Sequence, residues 1–142
     1  MKHLDLEVQF EINAPVEQVW KALTDPELIK QYFFGTQTES SWRVGTPIYF
    51  RGEWDGKGYE DKGTILANEH LRRIRYNYWS SFSEKPDEPA NYANIEYRLE
   101  SAGAVTRLTV TQDGHDSEEK MQHSRENWKM VMEGMKKLVE TA

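Results

Sequence analysis

Residues 117 to 140 carry one unbroken helical stripe. Met121, Trp128, Val131, Met132, Met135, Leu138 and Val139 fall on one side, and Lys120, Gln122, Glu126, Lys129, Glu133 and Lys137 on the other. A helix of this length extends about 36 Å, so its apolar side needs an apolar surface of matching length. Asp116, Glu118 and Glu119 open it and Lys136 and Lys137 close it, the charge order a helix dipole favours, and Asp116 with Glu119 has capping-box spacing.

The preceding chain supplies that surface. From Thr36 to Gln112 the pattern is that of β-strands, interrupted at hairpin spacing by Val44-Gly45, Asp55-Gly56, Asn68-Glu69 and Ala102-Gly103, which predicts successive antiparallel pairs. Ile74, Tyr76 and Tyr78 share one face of a strand from Arg73 to Trp79. Ala93, Ile95, Tyr97 and Leu99 do so between Tyr92 and Glu100, as do Leu108 and Val110 between Thr106 and Thr111. Ile48, Phe50 and Trp54 mark an earlier strand. Ahead of the sheet, residues 4 to 12 alternate strictly, with Leu4, Leu6, Val8, Phe10 and Ile12 on one side. Two short helices follow, one capped at Asn13 or Ala14 with Pro15 in its first turn, the other starting at Asp25-Pro26 and ending by Gly35. Between Ser80 and Asn91 the chain is rich in Pro and Ser, and it is the candidate lid.

This order predicts an α+β fold, one domain over residues 1–142, with the sheet curled around the last helix. The formal charge of −6 argues against nucleic acid and an anionic membrane surface as partners. No apolar run exceeds three residues, whereas a spanning helix needs about 20, and no cysteine is present for disulfide or thiolate chemistry. A cytoplasmic location is expected. Seven tyrosines and five tryptophans give the chain large rings to bury.

Several segments together resemble the family named for the activator of heat-shock protein 90 ATPase, within the START-like helix-grip superfamily, also called SRPBCC. They are Ile12-Asn13-Ala14-Pro15 followed by Val19-Trp20, then Thr24-Asp25-Pro26, Trp42 with Val44-Gly45, and Gly63-Thr64-Ile65-Leu66. Thr106 to Thr111 and Trp128, seven residues before Met135-Lys136-Lys137-Leu138, complete the likeness. The resemblance implies a groove between sheet and long helix, of the kind that holds lipids, sterols, polyketides and other apolar molecules in that superfamily. It implies no shared catalytic set, and it makes a chaperone the second candidate partner after a small apolar ligand.

The expected ligand-binding residues are Trp54, Tyr76, Tyr78, Tyr97, Trp128, Met132 and Met135, where tyrosine hydroxyls would orient a molecule and flexible methionines adapt to it. The plainer alternative is a filled aromatic core. Glu53, Asp55, Glu60 and Asp61, with Arg51, Arg73 or Arg75, are the acid-base candidates; ordinary turn and surface roles account for the same residues. His115 and His123 lie about 12 Å apart along the helix axis, and His3 and His70 stand alone, so no metal is expected. Gly56-Lys57-Gly58-Tyr59-Glu60-Asp61 starts like a dinucleotide loop but joins strand to strand, so no cofactor is expected either. Non-catalytic binding of a small apolar or aromatic molecule, by a monomer or homodimer, is the leading expectation. A chaperone-associated or other interaction domain, and an enzyme of polyketide-cyclase or hydrolase type, are the alternatives.

Overall fold

In the computed structural model, which describes residues 5–54, 56–80, 85–115 and 117–141, the first strand β1 (Leu6–Ile12) buries every second residue. Leu6, Val8, Phe10 and Ile12 face inward, as their alternation requires. Helix α1 (Val16–Thr24) follows with Pro15 at its N-cap and no side-chain cap. Asn13, one of the two expected caps, instead donates its backbone N–H to Glu140 Oε2 at 2.7 Å, tying this corner to the end of the last helix. Asp25 does cap α2 (Pro26–Tyr32), accepting from the Glu27 N–H with Pro26 in the first turn.

The remaining strands are β2 (Gln37–Ser40), β3 (Pro47–Trp54), β4 (Lys57–Glu69), β5 (Arg73–Tyr78), β6 (Ala93–Ala102) and β7 (Val105–Gln112). They form a seven-stranded sheet of order β1-β7-β6-β5-β4-β3-β2, every neighbouring pair antiparallel. One turn differs from expectation. Asn68 and Glu69 belong to β4, and the chain reverses over 70–72 with Leu71 at φ 66°. Asn68 is otherwise engaged, its side-chain amide donating to the Trp42 carbonyl at 2.8 Å.

β4 changes character along its length. Its first part, Lys57 to Thr64, runs beside β3, and its last part, Ile65 to Glu69, beside β5 through a register shift. Near the change, Gly63 passes so close to β5 that a Cβ there would lie 1.7 Å from the Asn77 carbonyl oxygen. The Asn77 side chain enters the ladder, accepting from the Thr64 N–H at 2.7 Å. Only glycine fits this joint.

Helix α3 (Glu118–Glu140) begins at Ser117, whose hydroxyl accepts from the Lys120 N–H at 3.2 Å. Asp116 lies outside the described residues. Trp128, Val131, Met132, Met135 and Val139 are buried on one face, and with β1, α1 and the inward residues of the sheet they make the core. The segment after β5 is fastened over 85–91. Trp79 Nε1 donates to the Lys85 carbonyl at 3.1 Å, Lys62 pairs with Asp87 at 2.5 Å, and a 3₁₀ turn covers Pro89–Asn91. The remainder of the candidate lid, 81–84, lies outside the described residues.

Candidate ligand-binding site

Where the N-terminal half of α3 crosses β3, β4 and β5, the groove stays open as a cavity of about 710 Å³. Sheet alternation decides which side chains reach it. Phe50 from β3, Tyr59 and Asp61 from β4, and Tyr76 and Tyr78 from β5 line it, with Ile95 and Gln112 behind them and Asn127 and Trp128 from α3 opposite. The chain leaving α2 adds Phe33, Phe34 and Thr36.

The rings meet mostly at steep angles. Phe50 lies 5.9 Å from Tyr76 and 5.7 Å from Tyr78, and Phe33 stacks on Phe50 at 6.3 Å while meeting Trp128 edge-on at 6.3 Å. Edge-to-face rings hold one another in place yet leave gaps that branched aliphatic side chains would fill. Tyr59 covers Gly52, where a Cβ would come within 2.6 Å of its hydroxyl. At the mouth, Phe34 and Met130 are 59% and 57% exposed, and Phe34 has φ 56°, an uncommon conformation for a bulky residue.

Several polar groups in and behind the walls are hydrogen-bonded to one another. Tyr78 donates to Asp61 Oδ2 at 2.6 Å, and Trp128 Nε1 donates to Gln112 Oε1 at 2.7 Å. The Thr36 and Tyr59 hydroxyls share a hydrogen bond at 2.6 Å, as do those of Tyr76 and Tyr97 at 2.8 Å. Burial pushes the Tyr78 hydroxyl well above the usual tyrosine range, and the carboxylate of Asp61 pushes it further. Burial, then neighbouring Tyr97, does the same to Tyr76, and burial raises Tyr97 itself. These phenols are neutral donors at physiological pH.

Of the residues singled out in the sequence, Tyr76, Tyr78 and Trp128 stand together on the cavity wall. Tyr97 sits behind them, bonded to Tyr76 and edge-on to Trp128 at 5.9 Å. Met132, 1% exposed, and Met135 lie in the closed core, because the C-terminal half of α3 packs against β1 and the short helices. The side chain of Trp54 and all of Asp55 lie outside the described residues. Among the acid-base candidates, Glu53 and Asp61 reach the cavity. Glu60 instead pairs with Arg51, which also pairs with Glu39, and Arg73 and Arg75 gather around Glu96. Phe33, Phe34, Thr36, Tyr59 and Gln112 were not singled out. The triplet Tyr32-Phe33-Phe34 just before a glycine was the available signal for two of them.

The family model for the activator of Hsp90 ATPase homolog 1-like protein matches residues 13–140. The chain belongs to that family. Among solved structures, ChR145 from Cytophaga hutchinsonii is 42% identical with a TM-score of 0.87, over 99% of this chain and 97% of that one. DynU16, described as a putative protein in the dynemicin biosynthetic locus, is 19% identical with a TM-score of 0.79, over 96% of this chain and 47% of that one. Ara h 8.0201 is 16% identical with a TM-score of 0.75, over 97% and 98%. No curated protein matches the chain. The activator-like fold here is the helix grip, an antiparallel sheet closed over a long C-terminal helix. No helix among the described residues is long and apolar enough to cross a membrane.

Proposed function

We propose that this chain binds a small apolar or aromatic molecule in the cavity between its sheet and α3 and releases it unchanged. One observation carries the reading: about 710 Å³ of space is walled by the rings of Phe33, Phe50, Tyr76, Tyr78 and Trp128. Cavities of roughly 300–1,000 Å³ with apolar walls and a few placed polar groups are those that take small molecules. Proton transfer at neutral pH works best through groups that titrate near 7. The cavity's Tyr76 and Tyr78 move the other way, and each of the two is hydrogen-bonded to a neighbour in or behind the wall. Positioning suits them better than turnover.

Titration with the neutral fluorophore N-phenyl-1-naphthylamine tests the reading. Its emission should rise on binding, Trp128 fluorescence should be quenched, and the melting temperature should increase by mass action. Unchanged emission and melting temperature up to the solubility limit of the probe would reject the cavity as a binding site.

A further inference from the structure

A second cleft, of about 440 Å³, shares no lining residue with the cavity. Trp20 from α1 forms one wall, Asn68 in β4 and His70 just after it another, and Trp42, Arg43 and Val44 of the connection between β2 and β3 the third. That connection is fixed from two sides. The Trp42 N–H donates to Ser40 Oγ at 2.9 Å and its carbonyl accepts from Asn68, while the Gly45 N–H and the Thr46 carbonyl pair with Ile65 at 2.8 and 2.9 Å. These bonds hold Trp42 at φ 64°, rare for a bulky side chain, and leave Val44 61% exposed at the rim.

The cleft is rich in donors. No Asp or Glu is present among its described lining residues. Arg43 is exposed and its guanidinium makes no ion pair or hydrogen bond among the described residues, whereas Arg51, Arg73 and Arg98 all sit against carboxylates. Trp20 is only 8% exposed, yet its indole N–H opens to solvent and meets no acceptor among the described residues; a buried tryptophan N–H ordinarily has one. His70 stands edge-on to Trp20 at 5.4 Å.

We propose that this cleft is a second binding site, separate from the cavity, for small aromatic carboxylic acids, with the carboxylate directed to Arg43 and the Trp20 N–H and the ring laid against Trp42 and Val44. A guanidinium fork matches the two oxygens of a carboxylate, and the indoles supply flat apolar area for the body of the molecule. An ammonium of the same shape would find the Arg43 charge and no carboxylate in the wall. The net charge of −6 disfavours anions at long range, so selection comes from these local donors.

NMR of the isotope-labelled full chain reads each tryptophan indole N–H separately, and 2-naphthoate, 2-naphthylmethanol and 2-naphthylmethylamine share one ring system. The acid should shift the Trp20 and Trp42 signals and bind about fivefold tighter than the alcohol, with the amine weakest, the size expected of one exposed ion pair. Arg43→Gln should remove the acid's advantage, leave the alcohol's affinity unchanged and keep the wild-type melt, since the guanidinium holds nothing else in place. Arg43→Lys should recover part of the loss, because an ammonium keeps the charge without the fork. Shifts confined to Trp128 would put the acid in the cavity and overturn the proposal. Equal affinity for acid and alcohol, equal affinity of the acid for wild type and Arg43→Gln, or no shift at Trp20 and Trp42 up to the solubility limit of the acid overturns it as well. The cavity reading is decided separately by N-phenyl-1-naphthylamine, whose affinity should be the same in Arg43→Gln.

Discussion

Tyr78 and Asp61 occupy adjacent strands on the same face of the sheet, and the phenol donates to the carboxylate at 2.6 Å. A buried carboxylate that loses such a donor forfeits about 1.5–3 kcal/mol, so Tyr78→Phe should lower stability by that order in urea melts. Asp61→Asn keeps an oxygen acceptor and should cost less. The double variant should lose less than the sum of the singles, because both changes act on the same hydrogen bond, Tyr78→Phe by removing its donor and Asp61→Asn by removing the charge of its acceptor; strict additivity would show the two side chains to be energetically independent.

Alkaline pH should unfold the chain. Tyr32, Tyr76, Tyr78 and Tyr97 all titrate above the ordinary tyrosine range, with burial the first cause in each case. Their folded pKa values exceed the unfolded value of about 10, so their contribution is whole below pH 10 and is lost as the pH climbs through the folded values. Absorbance at 295 nm should show these four of the seven tyrosines ionising together with loss of circular dichroism. Ionisation of all seven before unfolding would contradict the burial described.

Two glycines should respond oppositely to alanine. At Gly63 the new Cβ would meet the Asn77 carbonyl, and the sheet must separate to admit it, at a cost of about 3 kcal/mol or more, the upper end of overpacking. At Gly134 in α3 the new Cβ meets the Cβ of Tyr32 at 3.4 Å, an ordinary contact, and the helix gains up to about 1 kcal/mol. Thermal melts of the two variants check both signs.

Filling the cavity should separate binding from folding. Asn127 lines the open space, so Asn127→Trp should weaken N-phenyl-1-naphthylamine at least tenfold while the melt stays cooperative. Met132→Trp adds volume to a closed core and should cost about 1–3 kcal/mol with a smaller direct effect on binding. Equal probe affinity in wild type and Asn127→Trp would place the probe elsewhere.

Much of the fold was legible because burial leaves a periodic mark. Alternation from Leu6 to Ile12, the Asp25-Pro26 start and the stripe through Trp128 and Val139 each appear where spacing put them. The site was only partly legible. Tyr76, Tyr78 and Trp128 are on inward faces, but so are Met132 and Met135, and periodicity cannot tell a residue facing empty space from one facing another side chain. That difference depends on where the short helices close against α3. Thr36 and Gln112 were hidden for another reason: each is a polar residue whose partner, Tyr59 or Trp128, lies at least sixteen positions away.

The close passage of Gly63 against Asn77 has an evolutionary consequence. Before it, β4 contributes Tyr59 and Asp61 to the cavity; after it, the same strand contributes Ile65, fully buried in the core. Substitutions before the joint can therefore reshape the cavity while the residues that hold the molecule together stay as they are. A lineage is free to remodel that space without first inventing a new scaffold, provided the glycine itself is kept.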